Sequence, residues 1–131
     1  MIVKIQIMVK LKPFMGVQQV LLYPDKDTKA IFEYLCQQSG KLYNSGVYFA
    51  RQTLFKTGKL LTGKFDLIYE STVSKTRLAS SLPSVVAQQT LMSVSEAFRS
   101  FKELKNKFKK GELLFQPKPP SNLEGSKFFL D

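Results

Sequence analysis

The sequence predicts an α+β chain that is mostly helical. An N-terminal antiparallel strand pair is followed by a helical region that ends in a long, basic, amphipathic helix. Three observations carry this. Ile2, Val3, Ile5, Ile7, Val9 and Leu11 alternate with Lys4, Gln6 and Lys10, the period of a half-buried strand. Apolar residues recur at helical spacing from Asp27 onward. Pro83 and Gly111 bracket an uninterrupted run with that same spacing.

Pro13 and Gly16 break the first strand, and Val17–Tyr23 reads as the second, joined through the short KPFMG loop. Pro24 ends it. Asp27 is placed to cap a helix running to about Gln38, with Ile31, Tyr34 and Leu35 on its inner face. Ser39 and Gly40 read as a kink or break, after which KLYNSGVYFARQTLFKT forms a second helix. Gly58 and Gly63 bracket a loop, and residues 64–81 read as a connection with at most one short regular piece. Pro83 suits the first helical position of the long helix, which runs to Lys110 and stops at Gly111. The chain thus divides into a strand part over 1–23, a helical region over 24–112, and a segment over 113–131 that starts as a strand and becomes irregular.

The 131 residues are 44% apolar and 12% aromatic, the composition of a folded chain. Twenty Lys and Arg against ten Asp and Glu give a formal charge of +10, which favours an anionic partner. No apolar run reaches the length of a membrane span. The single cysteine, Cys36, excludes an internal disulfide, fits a reducing cytoplasm and reads as a packed apolar residue. Without histidine, neither His-based acid–base chemistry nor His metal ligation is available, and one cysteine cannot make a zinc site. Asp25 and Asp27 suit a turn and a cap better than a metal, and Glu96 and Glu103 read as solvated charges. The expectation is therefore no catalytic centre, no metal and no cofactor.

The stretch from Lys41 to Thr57 carries four aromatic and three basic residues. At 100° per residue, Leu42, Tyr43, Gly46, Val47, Phe49, Ala50, Thr53 and Leu54 fall on one side, with Lys41, Asn44, Tyr48, Arg51, Gln52 and Phe55 on the other. Basic groups that neutralise phosphate beside aromatics that stack on bases suit nucleic acid. The same spacing is equally compatible with a helix buried on two sides, the N-terminal strands covering Tyr48 and Phe55. In the long helix, Val86, Ala87, Leu91, Val94, Ala97, Phe98, Phe101, Leu104 and Phe108 form the apolar side. Gln88, Ser95, Arg99, Lys102, Asn106 and Lys110 form a polar and basic stripe. From Arg99 to Lys110 six basic residues meet one acid, Glu103. Pairs such as Arg99 with Glu103 account for part of that charge, and the excess favours a face that tracks phosphates.

The segment LLYPDKDTKAIFEYLCQQSGKLYNSGVYFARQTL resembles the N-terminal region of the TnpB family. These insertion-sequence proteins, long labelled transposases, are RNA-guided DNA nucleases related to type V CRISPR effectors. KFDLIYE, LPSVVAQQTLMSVSEAFRSFKELKNKFKKGE and PKPP follow in the family's order, so the resemblance spans roughly residues 18–120. It implies strands of a wedge-like domain joined to helices of a recognition lobe, which hold guide RNA and the guide–target duplex. It carries nucleic-acid contact to Tyr43, Asn44, Tyr48 and Arg51, and to Ala87, Gln88 and Gln89 with the basic helix end. The family's metal-binding RuvC-like nuclease and its zinc-binding cysteines lie beyond the matched region, and SNLEGSKFFLD departs from the pattern. The resemblance thus implies a truncated or frameshifted copy that contacts RNA or duplex backbone without cutting DNA. The expected contacts are Lys41, Asn44, Tyr48, Arg51, Gln52, Phe55, Gln88, Gln89, Arg99, Lys102, Asn106 and Lys110. The alternative is a small helical interaction or regulatory protein that self-associates through exposed apolar faces or pairs with a separate nuclease. A membrane-surface role ranks last, because the aromatics of the long helix point into its packing face.

Overall fold

The computed structural model describes residues 3–11, 14–70 and 75–123. It is mostly helical. Strands β1 (Val3–Leu11) and β2 (Phe14–Leu22) pair antiparallel, from Val3 opposite Leu22 to Leu11 opposite Phe14. The ladder takes in Phe14, Met15 and Gly16, which the sequence pattern assigns to the loop. Lys12 and Pro13 lie outside the described residues.

Helix α1 spans Lys26–Thr57, 32 residues. Its cap is Asp25, whose carboxylate accepts the Thr28 N–H at 3.2 Å. Asp27, expected as the cap, sits in the first turn, where its charge meets the positive end of the helix dipole. The break expected at Ser39–Gly40 does not occur. Both residues are buried within a continuous helix, so their small size serves packing, against a propensity cost of about 1 kcal/mol for an interior glycine.

Continuity has a consequence for the faces. The buried line runs through Cys36, Ser39, Gly40, Leu42, Gly46, Val47 and Ala50. Carried back without a break, that phase places Tyr34 about 200° and Ile31 about 140° from Cys36. Both were expected inside; they are 50% and 59% exposed. Gly58 ends α1 in the left-handed conformation, φ 73°, its N–H bonded to the Leu54 carbonyl at 2.8 Å.

A crossover follows. Leu61 and Leu67 are buried in the core, and the Thr76 hydroxyl caps the four-residue helix α2 (Arg77–Ser80). Residues 71–74 of this connection lie outside the described residues. Helix α3 spans Ser84–Lys109. Pro83 is its N-cap rather than its first helical residue, with an extended ψ of 139°. At the other end the Glu112 N–H reaches the Lys107 carbonyl and the Gly111 N–H that of Phe108, both at 3.0 Å, around Gly111 at φ 78°. That closure satisfies carbonyls the helix leaves open and needs the left-handed residue.

Helices α1 and α3 run side by side in the same direction. Leu91 and Val94 lie where a side chain at Gly46 would go, and Leu54 and Phe55 share a groove with Phe101 and Phe108. Leu42, Val47, Leu91, Val94 and Phe98 are the centre of this core. Ser95, assigned by spacing to the polar stripe, is fully buried, because it lies within a turn of Leu91 and Phe98 on the packed face. Thr90 is also buried and donates its hydroxyl proton to the Val86 carbonyl at 2.8 Å.

The strand expected to start after Gly111 is absent from the described residues. Residues 113–123 form an extended strap without ladder pairing, and Pro117, Pro119 and Pro120 have no N–H to contribute to one. Residues 124–131, read as an irregular tail, lie outside the described residues. No helix among the described residues is long and apolar enough to cross a membrane.

Candidate nucleic-acid interface

The strap returns along α1 and is fastened to two of the residues expected to meet nucleic acid. The Asn44 side-chain amide pairs with the peptide of Leu123 in both directions. Its Nδ2 donates to the Leu123 carbonyl at 3.0 Å, and its Oδ1 accepts the Leu123 N–H at 2.8 Å. About two turns further along, Arg51 Nη1 donates to the Pro120 carbonyl at 2.9 Å. The same guanidinium lies 5.4 Å from the centroid of Phe55, a cation–π contact. Asn44 and Arg51 are half-buried and spend these hydrogen bonds inside the molecule. Both residues, expected to meet nucleic acid, therefore already have partners in the strap. Helical spacing placed them opposite the α1–α3 seam but carried no sign of a strap seventy residues on.

Their neighbours remain open. Tyr48 is 64% and Phe55 61% exposed, so β1 and β2 do not cover them. Lys41 is exposed and Gln52 half-buried. Beside Phe55 a groove of about 560 Å³ runs between Leu54, Phe101 and Phe108, with Lys105 and Lys109 among its lining and Pro117 and Pro119 of the strap as a further wall.

On α3, Gln88, Gln89, Arg99, Lys102, Asn106 and Lys110 are all exposed. Arg99 does not stand alone: its Nη2 donates to the Thr62 carbonyl at 3.2 Å, which brings the crossover alongside the basic stripe. There the structure shows a feature that spacing did not lead us to expect. Residues 63–69 form a tight turn in which the Tyr69 N–H bonds to the Phe65 carbonyl at 3.1 Å and the Asp66 N–H to the Gly63 carbonyl at 3.2 Å. The Gly63 N–H donates to the Asp66 carboxylate at 2.8 Å, and a Cβ on Gly63 would lie 2.5 Å from that carboxylate, so a larger residue there would push the Asp66 side chain aside. Leu67 is fully buried against Gly46 of α1, while Phe65 and Tyr69 are 48% and 80% exposed. The one available signal was their spacing of four, hidden in a stretch with weak overall periodicity.

Burial raises the Cys36 thiol above its ordinary pKa, with a smaller push from Glu33, and burial likewise raises the Tyr43 phenol. Neither is thereby activated at neutral pH. Among the described residues no group of His, Cys, Asp and Glu is placed to hold a metal. No family model matches the chain, and neither the curated proteins nor the solved structures give a significant match.

Proposed function

We propose that the chain is a nucleic-acid-binding region of TnpB type, with β1 and β2 as its wedge-like part and the helices as its recognition-lobe-like part. It holds RNA or a guide–target duplex through the backbone, and the reading does not include cleavage of DNA. The observation that supports it most is the last half of α3. Arg99, Lys102, Lys107, Lys109 and Lys110 are exposed along it, and Glu103 is the one acid in that run. A solvated helix face balances its charges more closely than this. Phosphate contacts of this kind give affinity that falls with salt and reads little sequence.

A second reading, a protein-interaction role, is favoured by Leu114 and Phe115. They are adjacent, and Leu114 is fully exposed with Phe115 at 60%.

Fluorescence anisotropy of the full chain against structured RNA, single-stranded DNA and duplex DNA over a salt range separates the two. The nucleic-acid reading expects binding that weakens with salt. Replacing Lys102, Lys107 and Lys110 by Ala should lower the slope of log K against log salt by roughly 0.7–0.9 for each phosphate left without its lysine. No binding to any of the three at low salt would remove the reading and leave the protein-interaction role.

A further inference from the structure

We infer that the turn over residues 63–69 is a stacking platform for unpaired nucleotides, with Phe65 and Tyr69 as the rings and Lys64 and Arg99 as the flanking phosphate contacts. The inference rests on the nucleic-acid reading and deepens it, because it names which part of the ligand this surface takes.

The turn is built to present rings outward. Leu67 anchors it from below, fully buried, and the closure of Gly63 on Asp66 fixes its start. Phe65 and Tyr69 sit one helical turn apart and so share a face. Their centroids are 6.0 Å apart with planes tilted 50°, a corner rather than a closed stack, which leaves ring surface open to a third partner. Lys64 Nζ lies 5.4 Å over one face of the Phe65 ring, a cation–π contact that keeps a cation at the platform and leaves the opposite face of the ring for a base. The hydrogen bond from Arg99 to the Thr62 carbonyl sets an exposed guanidinium at the entry of the turn. Asp66, the acid between the two rings, has its carboxylate engaged by the Gly63 N–H.

Two exposed aromatics beside cations are poorly explained as solvent surface, and they are what an unpaired base needs. Every base offers a π-face, so stacking is tolerant of sequence. Duplex bases are already stacked on each other and offer the protein only their backbone and groove edges. The platform therefore commits to single strands, loops or ends, while the α3 stripe serves single strands and duplexes alike.

The test compares the wild-type chain, a Phe65→Ala/Tyr69→Ala variant and a Phe65→Tyr/Tyr69→Phe variant that keeps both rings. The probes are labelled oligothymidine and oligouridine about a dozen nucleotides long and a duplex of the same length. Circular dichroism melts check that the variants fold. With stacking worth about 1–3 kcal/mol per base, the double-Ala variant should lose roughly fivefold to 150-fold in single-strand affinity for each base it no longer stacks. Duplex affinity should stay within about twofold, and the ring-swapped variant should bind as wild type does. Comparable losses on thymidine and uridine oligomers would make the platform indifferent to the sugar; a loss on one alone would assign it to that strand. If the wild type binds but the double-Ala variant binds single strands equally well, or loses duplex binding to the same extent, the platform is wrong and the α3 reading stands. If the wild type binds nothing, the nucleic-acid reading falls with it.

Discussion

Replacing Asn44 by Ala should free the strap without loosening the helices. Asn44 makes two hydrogen bonds to one peptide, at 3.0 and 2.8 Å, in a half-buried setting. A neutral hydrogen bond contributes a net ~0.5–1.5 kcal/mol, so the pair holds Leu123 in place by roughly 1–3 kcal/mol. The strap carries no ladder bonds, so its release is a local opening and not global unfolding. At about 1.4 kcal/mol per factor of ten, the Leu123 amide should exchange about 5- to 150-fold faster in the variant. The effect on α1 has the opposite sign, because Ala exceeds Asn in helix propensity by roughly 0.7 kcal/mol. Thermal melting followed at the helical signal should therefore stay level or rise slightly. Asn44→Asp gives an internal control: it keeps the acceptor for the Leu123 N–H and loses the donor, so its effect on exchange should be intermediate. Hydrogen exchange resolved to single amides reads all of this. A Leu123 amide that exchanges at the wild-type rate in Asn44→Ala, or core amides of α1 and α3 that speed up with it, would refute the reasoning.

Phe98 is fully buried between α1 and α3, and Phe98→Ala should cost about 3–5 kcal/mol. For a chain of this size that lowers Tm by roughly 10–20 °C in a calorimetric scan. The Asp25 carboxyl is held below its ordinary pKa by hydrogen bonds from Thr28. Because the folded value is the depressed one, its contribution is complete above the unfolded-chain pKa and is lost as pH falls through the folded value. Asp25→Asn keeps a cap acceptor but cannot titrate, so its melting temperature should fall less steeply than wild type's between about pH 5 and pH 2.

The periodicities were legible. Alternation over the first residues, helical spacing around Gly46 and between Pro83 and Gly111, and glycine stops at Gly58 and Gly111 are local facts of backbone and side-chain geometry. They predicted a mostly helical chain and the buried residues of α3 from Ala87 to Phe101, Thr90 and Ser95 apart. Two serines mark the limit. At Ser39 and Ser95 a small polar residue reads as a break or a solvent position, but close packing of two helices also demands small residues, and nothing local distinguishes the demands. In both places the buried hydroxyl finds no hydrogen-bond partner among the described residues, consistent with the small size of serine mattering there.

The sequence by itself determined which residues carry charge, which carry rings, and the phase of α3 and of the Gly46 half of α1, though not that of the first turns of α1. Only the tertiary structure decided which of those groups face outward together. Asn44 and Arg51 had the right face for a ligand, yet the return of residues 113–123 placed peptide carbonyls in front of them. Phe65 and Tyr69 had no periodic pattern to draw notice, yet burial of Leu67 between them in sequence turned both rings to the surface, in a turn whose entry Arg99 reaches at Thr62. The physical reason is the same in each case. Helical phase is set by neighbours three and four positions away, whereas occupancy of a face is set by segments tens of residues distant, whose approach leaves no trace in the local spacing.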